Sequence, residues 1–251
     1  MDTRAVAGYA ASWMTEGTSG EMTVTEQEWL ACGDPTAMLK SLRHRASDRQ
    51  YRLFAVACAR DELARAQAGQ GCFNFGDELG PGRTELLWDT ARGYGAAVLA
   101  AESAADGGPQ QHFSHWYVGW AGEAGDIAYA ALGHDPDGLV TIPSERIAAT
   151  VRRYTNHPAV YLRDIFGNPF RPITISPAVL VWNDSTVVRL AQAAYEERHL
   201  PEGTLDNGRL AVLADALEEA GCTDTEILGH LRGPGPHVRG CWPLDLCLGN
   251  S

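Results

Sequence analysis

Apolar residues in this chain recur at three- and four-residue intervals between residue types that start and stop helices. No other feature constrains the fold as strongly. Thr25 and Glu28 have capping-box spacing ahead of Trp29 and Leu30. Asp34-Pro35 places an N-cap acid before a proline at the first helical position, which predicts a helix to about Arg43. Ser47-Asp48 starts another, in which Leu53, Phe54, Ala57, Cys58 and Ala64 share one face, reaching about Ala68. The same signals predict helices over 84–105, 113–132 and 144–154, and from Asp184 or Ser185 to about His199. A further amphipathic helix covers 205–220 and stops at Gly221, a short one runs from Thr223 through His230, and a last turn covers 242–248. The fold class is therefore mainly α, a compact multi-helix domain.

Texture divides the chain into four parts. Residues 1–21 read as a loose extension with a short helix around Val6 to Trp13, and 22–155 as an N-terminal helical subregion. Residues 156–183 hold Pro158, Pro169, Pro172 and Pro177 and read as a structured linker, with an irregular or extended stretch from Phe170 to Ile175. Residues 184–251 form a C-terminal helical subregion that carries a Gly/Pro/Cys/His segment.

The formal net charge of −12 disfavours nucleic acid, whose phosphates call for a basic patch. Lys40 is the only lysine. Such dominance of Arg suits either guanidinium forks that grip carboxylates and phosphates or the coding bias of a GC-rich genome. The start of the chain lacks a secretion pattern and no apolar run approaches the roughly 20 residues that span a bilayer, so a cytoplasmic location without membrane contact is expected. In that setting the six cysteines point to reduced thiols or metal ligation rather than to a disulfide scaffold.

Cys222, His230, His237 and Cys241 are the foremost candidate site. Two thiolates and two imidazoles suit a tetrahedral zinc ion. His237 and Cys241 are one helical turn apart, and the Gly-Pro-Gly-Pro run between His230 and His237 can fold one pair back on the other. Distance argues against Cys222, because a continuous helix from 222 to 230 would separate its ends by about 12 Å. Cys247 or Asp245 is the substitute. The alternative is a buried thiol and two hydrogen-bonded histidines around a tight turn.

Arg232 and Arg239 flank the same Gly/Pro run and form a candidate anion-binding loop. The competing reading pairs the guanidinium with Asp215, Glu218 or Glu219. His112 and His115 with Glu123 or Asp126 make a weaker metal candidate. Trp116, Tyr117 and Trp120 could line a pocket, although helical spacing favours packing, as it does for the glycines at 119, 122 and 125. Cys58 reads as a core thiol, Cys72 as an accessible one with no assignable base, and no nucleophile elbow is present.

The runs Leu213-Ala-Asp-Ala-Leu-Glu-Glu-Ala-Gly-Cys222 and Gly229-His-Leu-Arg-Gly-Pro-Gly-Pro-His-Val-Arg-Gly-Cys-Trp242 resemble the C-terminus of a group of bacterial proteins abundant in planctomycetes. Glu28-Trp-Leu-Ala-Cys32, Leu53-Phe-Ala-Val-Ala-Cys58 and Leu162-Arg-Asp-Ile-Phe-Gly-Asn-Pro-Phe-Arg-Pro172 resemble other parts of that group. The resemblance implies that 25–249 form one unit and carries no catalytic residue with it. The functional expectation is a non-enzymatic interaction or regulatory domain with a protein partner and a structural zinc. The alternatives are a metal-assisted hydrolase using His230, His237 and Cys241 with Asp245 or Glu219 as base, and a small-molecule binder.

Overall fold

The protein is described by a computed structural model over residues 24–43, 45–68, 95, 98–108 and 158–250. This part is mainly α, and no strand occurs among the described residues. The N-terminal helices are α1 (Glu26–Ala31), α2 (Pro35–Ser41) and α3 (Asp48–Gln67). After a helical segment at 98–105 come α4 (Pro158–Phe166), α5 (Pro177–Leu180), α6 (Trp182–Glu196), α7 (Asn207–Glu219), α8 (Thr225–Leu231) and α9 (Trp242–Leu248). The helices expected over 113–132 and 144–154, and the one around Val6 to Trp13, lie outside the described residues.

The start signals act as their chemistry requires. Thr25 and Glu28 close a reciprocal capping box on α1, the kind of cap whose loss costs about 1 kcal/mol. Asp34 Oδ1 accepts from the Thr36 amide at 2.8 Å at the start of α2. Asp224, one residue later than expected, caps α8 by accepting from the Glu226 and Ile227 amides at 2.9 and 3.1 Å. Gly221 takes φ +94°. The Cys222 amide then reaches back to the Leu217 carbonyl at 2.9 Å, the Schellman closure expected of a glycine at this place. At the head of α6, Asn183, Asp184 and Ser185 all adopt left-handed φ, so the regular helix begins only at Thr186.

Two hydrophobic clusters result. The first surrounds α3, whose residues from Leu53 to Ala59 are all buried, and takes in Trp29, Met38, Leu162, Ile165, Phe166 and Val238. The second is built by α6, α7, α8 and α9 around Val187, Leu210, Leu213, Leu217, Ile227, Leu231 and Leu244. The stretch expected as a linker is partly helical. In α4, Tyr161, Leu162, Asp164, Ile165 and Phe166 are buried, and they belong to the N-terminal cluster. The chain passes from one cluster to the other at Arg171-Pro172, since Phe170 packs on the first and Ile173 and Ile175 on the second.

Charged side chains fill the seam. Arg60 and Arg198 both reach Glu102, at 2.6 and 2.8 Å. Arg49 and Arg239 both reach Asp106, at 2.8 and 2.6 Å. Arg49 also pairs with Asp245, whose Oδ1 accepts from the Tyr195 hydroxyl at 2.9 Å.

The loop between α8 and α9 crosses this seam in close contact with the first cluster. A Cβ at Gly240, which has φ +94°, would lie 2.9 Å from Leu53 Cδ1. One at Gly221, with the same φ, would meet nothing within 4 Å. Gly240→Ala is therefore expected to lower the unfolding free energy by about 2 to 4 kcal/mol through strain and overpacking together. Gly221→Ala carries only the backbone strain, about 1 kcal/mol. Urea unfolding of the two variants checks the difference, and equal losses would contradict this packing of the loop.

Candidate metal centre

Asp164, His230, His237 and Cys241 each offer one donor atom, and the four atoms lie within 4.8 Å of one another. Asp164 sits on the buried face of α4, and His230 in the last turn of α8. His237 lies in the loop, and Cys241 is the N-cap residue of α9. Asp164, His237 and Cys241 are 2%, 3% and 0% exposed, whereas the His230 side chain is 20% exposed, so only one donor reaches the surface.

Local structure explains how the loop brings its two donors to α4. The Leu205 amide donates to the His237 carbonyl at 2.8 Å, and Asn207 Nδ2 donates to the Pro234 carbonyl at 3.0 Å. These bonds tie the loop to the start of α7. The Val238 amide donates to Asp164 Oδ2 at 2.8 Å. Gly167, which ends α4 at φ +61°, leaves room for the Trp242 ring, which a Cβ there would approach to 3.0 Å. The Gly167 carbonyl also accepts from Trp29 Nε1 at 3.0 Å.

The hydrogen bonds set the protonation of the site. His237 Nδ1 is 2.7 Å from Asp164 Oδ1, and its Nε2 is 3.4 Å from the Gly233 carbonyl. Both partners are acceptors, an arrangement that favours the doubly protonated ring. His230 Nε2 is 2.9 Å from Asp164 Oδ1. Its Nδ1 is 3.3 Å from Trp242 Nε1, which can only donate. His230 Nδ1 therefore accepts at this contact, and its Nε2 is the nitrogen that faces Asp164. Cys241 Sγ lies 3.4 Å from His230 Nε2 and 3.9 Å from His237 Nδ1.

Burial alone would push the Asp164 carboxyl up, but the bonds from His230 and His237 outweigh it and hold the group below its usual range. Burial opposes the charge on His237, yet the Asp164 carboxylate keeps this imidazole above its ordinary value. The Cys241 thiol is pushed well above its usual range by burial and then by the Asp164 charge. It is thus a poor nucleophile unless a cation takes its proton's place.

The donor set suits a four-coordinate metal. Tetrahedral bonds of 2.0 to 2.3 Å put ligand atoms about 3.3 to 3.8 Å apart. The contacts of 2.7, 2.9, 3.4 and 3.9 Å lie around that range, within an outer limit of 4.8 Å for the whole set. Outer contacts are in place for two ligands, with the Gly233 carbonyl behind His237 and the Val238 amide behind Asp164. The Trp242 contact has the wrong sense. A metal held at His230 Nε2 would leave the ring proton on Nδ1, facing another donor, so the indole would have to shift to accommodate it.

Three of the four ligands named from sequence come together, and Cys222 does not. It follows the Gly221 turn and packs in the second cluster, near enough to Cys247 that burial and then this neighbour push Cys247 up to about 12. The substitutes also lie elsewhere: Cys247 has moved away with Cys222, and Asp245 is held by Arg49 and Tyr195. The fourth donor of the cluster is Asp164, far away in sequence. Its signal was a carboxylate among Leu162, Ile165 and Phe166 on the apolar face of a helix, where an unpaired charge is not tolerated.

The two arginines of the candidate anion loop both meet carboxylates of the protein, as the competing reading has it for Arg232. Arg232 reaches Asp215 and Glu218 at 2.7 and 2.6 Å, and Arg239 reaches Asp106. Both guanidiniums are thus engaged by the protein's own carboxylates. Cys58 is fully buried in the first cluster, as a core thiol should be. His112, His115, Glu123 and Asp126, the Trp116, Tyr117 and Trp120 group, Gly119, Gly122 and Gly125, and Cys72 all lie outside the described residues.

No family model, curated protein or solved structure matches the chain. Among the described residues no helix is long and apolar enough to cross a membrane.

The Asp164–His237 pair has a defined pH signature in chelator-treated protein. His237, raised above its ordinary 6.5, contributes stability that is complete below that value and lost as pH rises through its folded value. Asp164, lowered from 3.8, contributes stability that is complete above that value and lost as pH falls through its folded value. The stability advantage of the wild type over His237→Gln should therefore be greatest between about pH 4 and 6.5 and shrink on both sides. Urea midpoints across pH measure it, and an advantage that grows above pH 7 would contradict the imidazolium assignment.

Proposed function

We propose that this chain is a zinc-stapled helical domain that acts through contacts with a partner protein, with a metal centre that is closed and structural. The convergence of Asp164, His230, His237 and Cys241 on one point in the seam carries this reading. Zinc fits a donor set of one thiolate, two imidazoles and a carboxylate. All four tetrahedral positions are supplied by the protein, which leaves none for a reacting water. The carboxylates considered as a general base are otherwise placed, Asp245 beneath Arg49 and Glu219 on the exposed face of α7. A site of this kind fixes surfaces in place, and the interaction reading rests on that.

One observation favours the hydrolase alternative. The exposed edge of His230 lines a cavity of about 630 Å³, and a donor that left the metal there would admit water. Cobalt-loaded protein separates the two. A closed site gives a tetrahedral visible spectrum that azide leaves unchanged, whereas an open position gives one that azide shifts.

Protein purified without a His tag should carry about one zinc per chain by elemental analysis, as four-ligand structural sites do. Cys241→Ser and Asp164→Asn should lose it, and Cys222→Ser should keep it. Loss in Cys222→Ser with retention in Asp164→Asn would reverse the ligand assignment. Binding should release about two protons near pH 6, one from the His237 imidazolium and one from the Cys241 thiol. Calorimetry in buffers of different ionisation enthalpy measures this number. Affinity should rise with pH accordingly.

A further inference from the structure

Three of the four donors are sealed inside the protein, and only His230 shows an edge to solvent. That edge is in the wall of the cavity of about 630 Å³, beside Trp242 and Gly229. The space is several times what a cation with its first waters fills, at about 30 Å³ per water. Glu26 from α1 and Glu226 from α8 line the same cavity. Arg171 spans them, with Nε 2.6 Å from Glu26 and Nη1 3.5 Å from Glu226. This is also where the chain crosses from one hydrophobic cluster to the other.

We infer that this cavity is the path by which the metal ion reaches and leaves the donor set, and that Arg171 is a latch across its mouth. The inference rests on the zinc reading above. Closed, Arg171 cancels part of the charge of Glu26 and Glu226 and ties α1 to α8. Its side chain and both partners are substantially exposed, so the ion pairs are weak and open at little cost. Open, they leave two carboxylates that draw a divalent cation toward His230. His230 takes the ion first because it alone is reachable, and the buried thiol and carboxylate complete the set.

Stopped-flow capture of zinc by the metal-free full chain, and release to a colourimetric zinc chelator, test this. Arg171→Ala should speed capture and release together by roughly threefold to tenfold while the equilibrium Kd stays within about twofold. The double variant Glu26→Gln/Glu226→Gln should slow capture. Arg209→Ala, which removes an exposed pair between α7 and Glu197 at the end of α6, should leave both rates unchanged. Stoichiometric zinc binding with wild-type rates in Arg171→Ala would overturn the route and leave the metal site standing. A changed Kd with unchanged capture would make Arg171 a stability residue and overturn the latch. Failure of the wild type to bind zinc at all would overturn both the site and its route.

Discussion

The carboxylate of Asp164 is the point on which the rest of the structure turns. A charge buried this deeply costs several kcal/mol unless its lone pairs are taken up. Here Oδ1 takes two imidazole nitrogens and Oδ2 the Val238 amide. Those three bonds come from α8 and from the loop after it, so satisfying one carboxylate fixes the C-terminal cluster against α4. The placement of Gly240 over Leu53 and of Trp242 over Gly167 follows from the same docking. A metal at this point would replace two proton-mediated contacts with coordinate bonds and leave the outer contacts of Asp164 and His237 in place.

The rest of the seam repeats this logic with arginine. Glu102 is buried between Arg60 and Arg198, and Asp106 joins Arg49 to Arg239. Removing one partner from such a network strands a buried charge, which costs more than the pair itself contributes. The planar guanidinium, which stays charged and offers five donors, suits these shared positions better than an ammonium. Of the two arginines that looked available for an external anion, Arg239 belongs to this seam through Asp106, whereas Arg232 ties α8 to α7 within the C-terminal cluster. Whatever the source of the near absence of lysine, this seam makes use of it.

Local signals carried most of what was legible in the sequence. Thr25 with Glu28, Asp34 with Pro35, and Gly221 each have a meaning set by neighbours within a turn, and each acts in the structure as its chemistry requires. His230, His237 and Cys241 were legible as a group because a short Gly/Pro turn holds them close. Cys222 misled because it belongs to the same composition, yet the Schellman turn at Gly221 sends it into the second cluster. Asp164 was missed because its partners are 66 and 73 residues away, and no local rule connects them. The proline count hid α4 in a similar way. Pro158 begins the described part of this helix, while Pro169 and Pro172 come after its end.

X-ray absorption on the zinc-loaded full chain tests the central claim most directly, because it reads the atoms bound to the metal. The four-ligand site predicts one sulfur at about 2.3 Å and three nitrogen or oxygen atoms at about 2.0 to 2.1 Å. A shell of oxygen and nitrogen alone in the wild type, or two sulfurs, would contradict a centre built from Asp164, His230, His237 and Cys241.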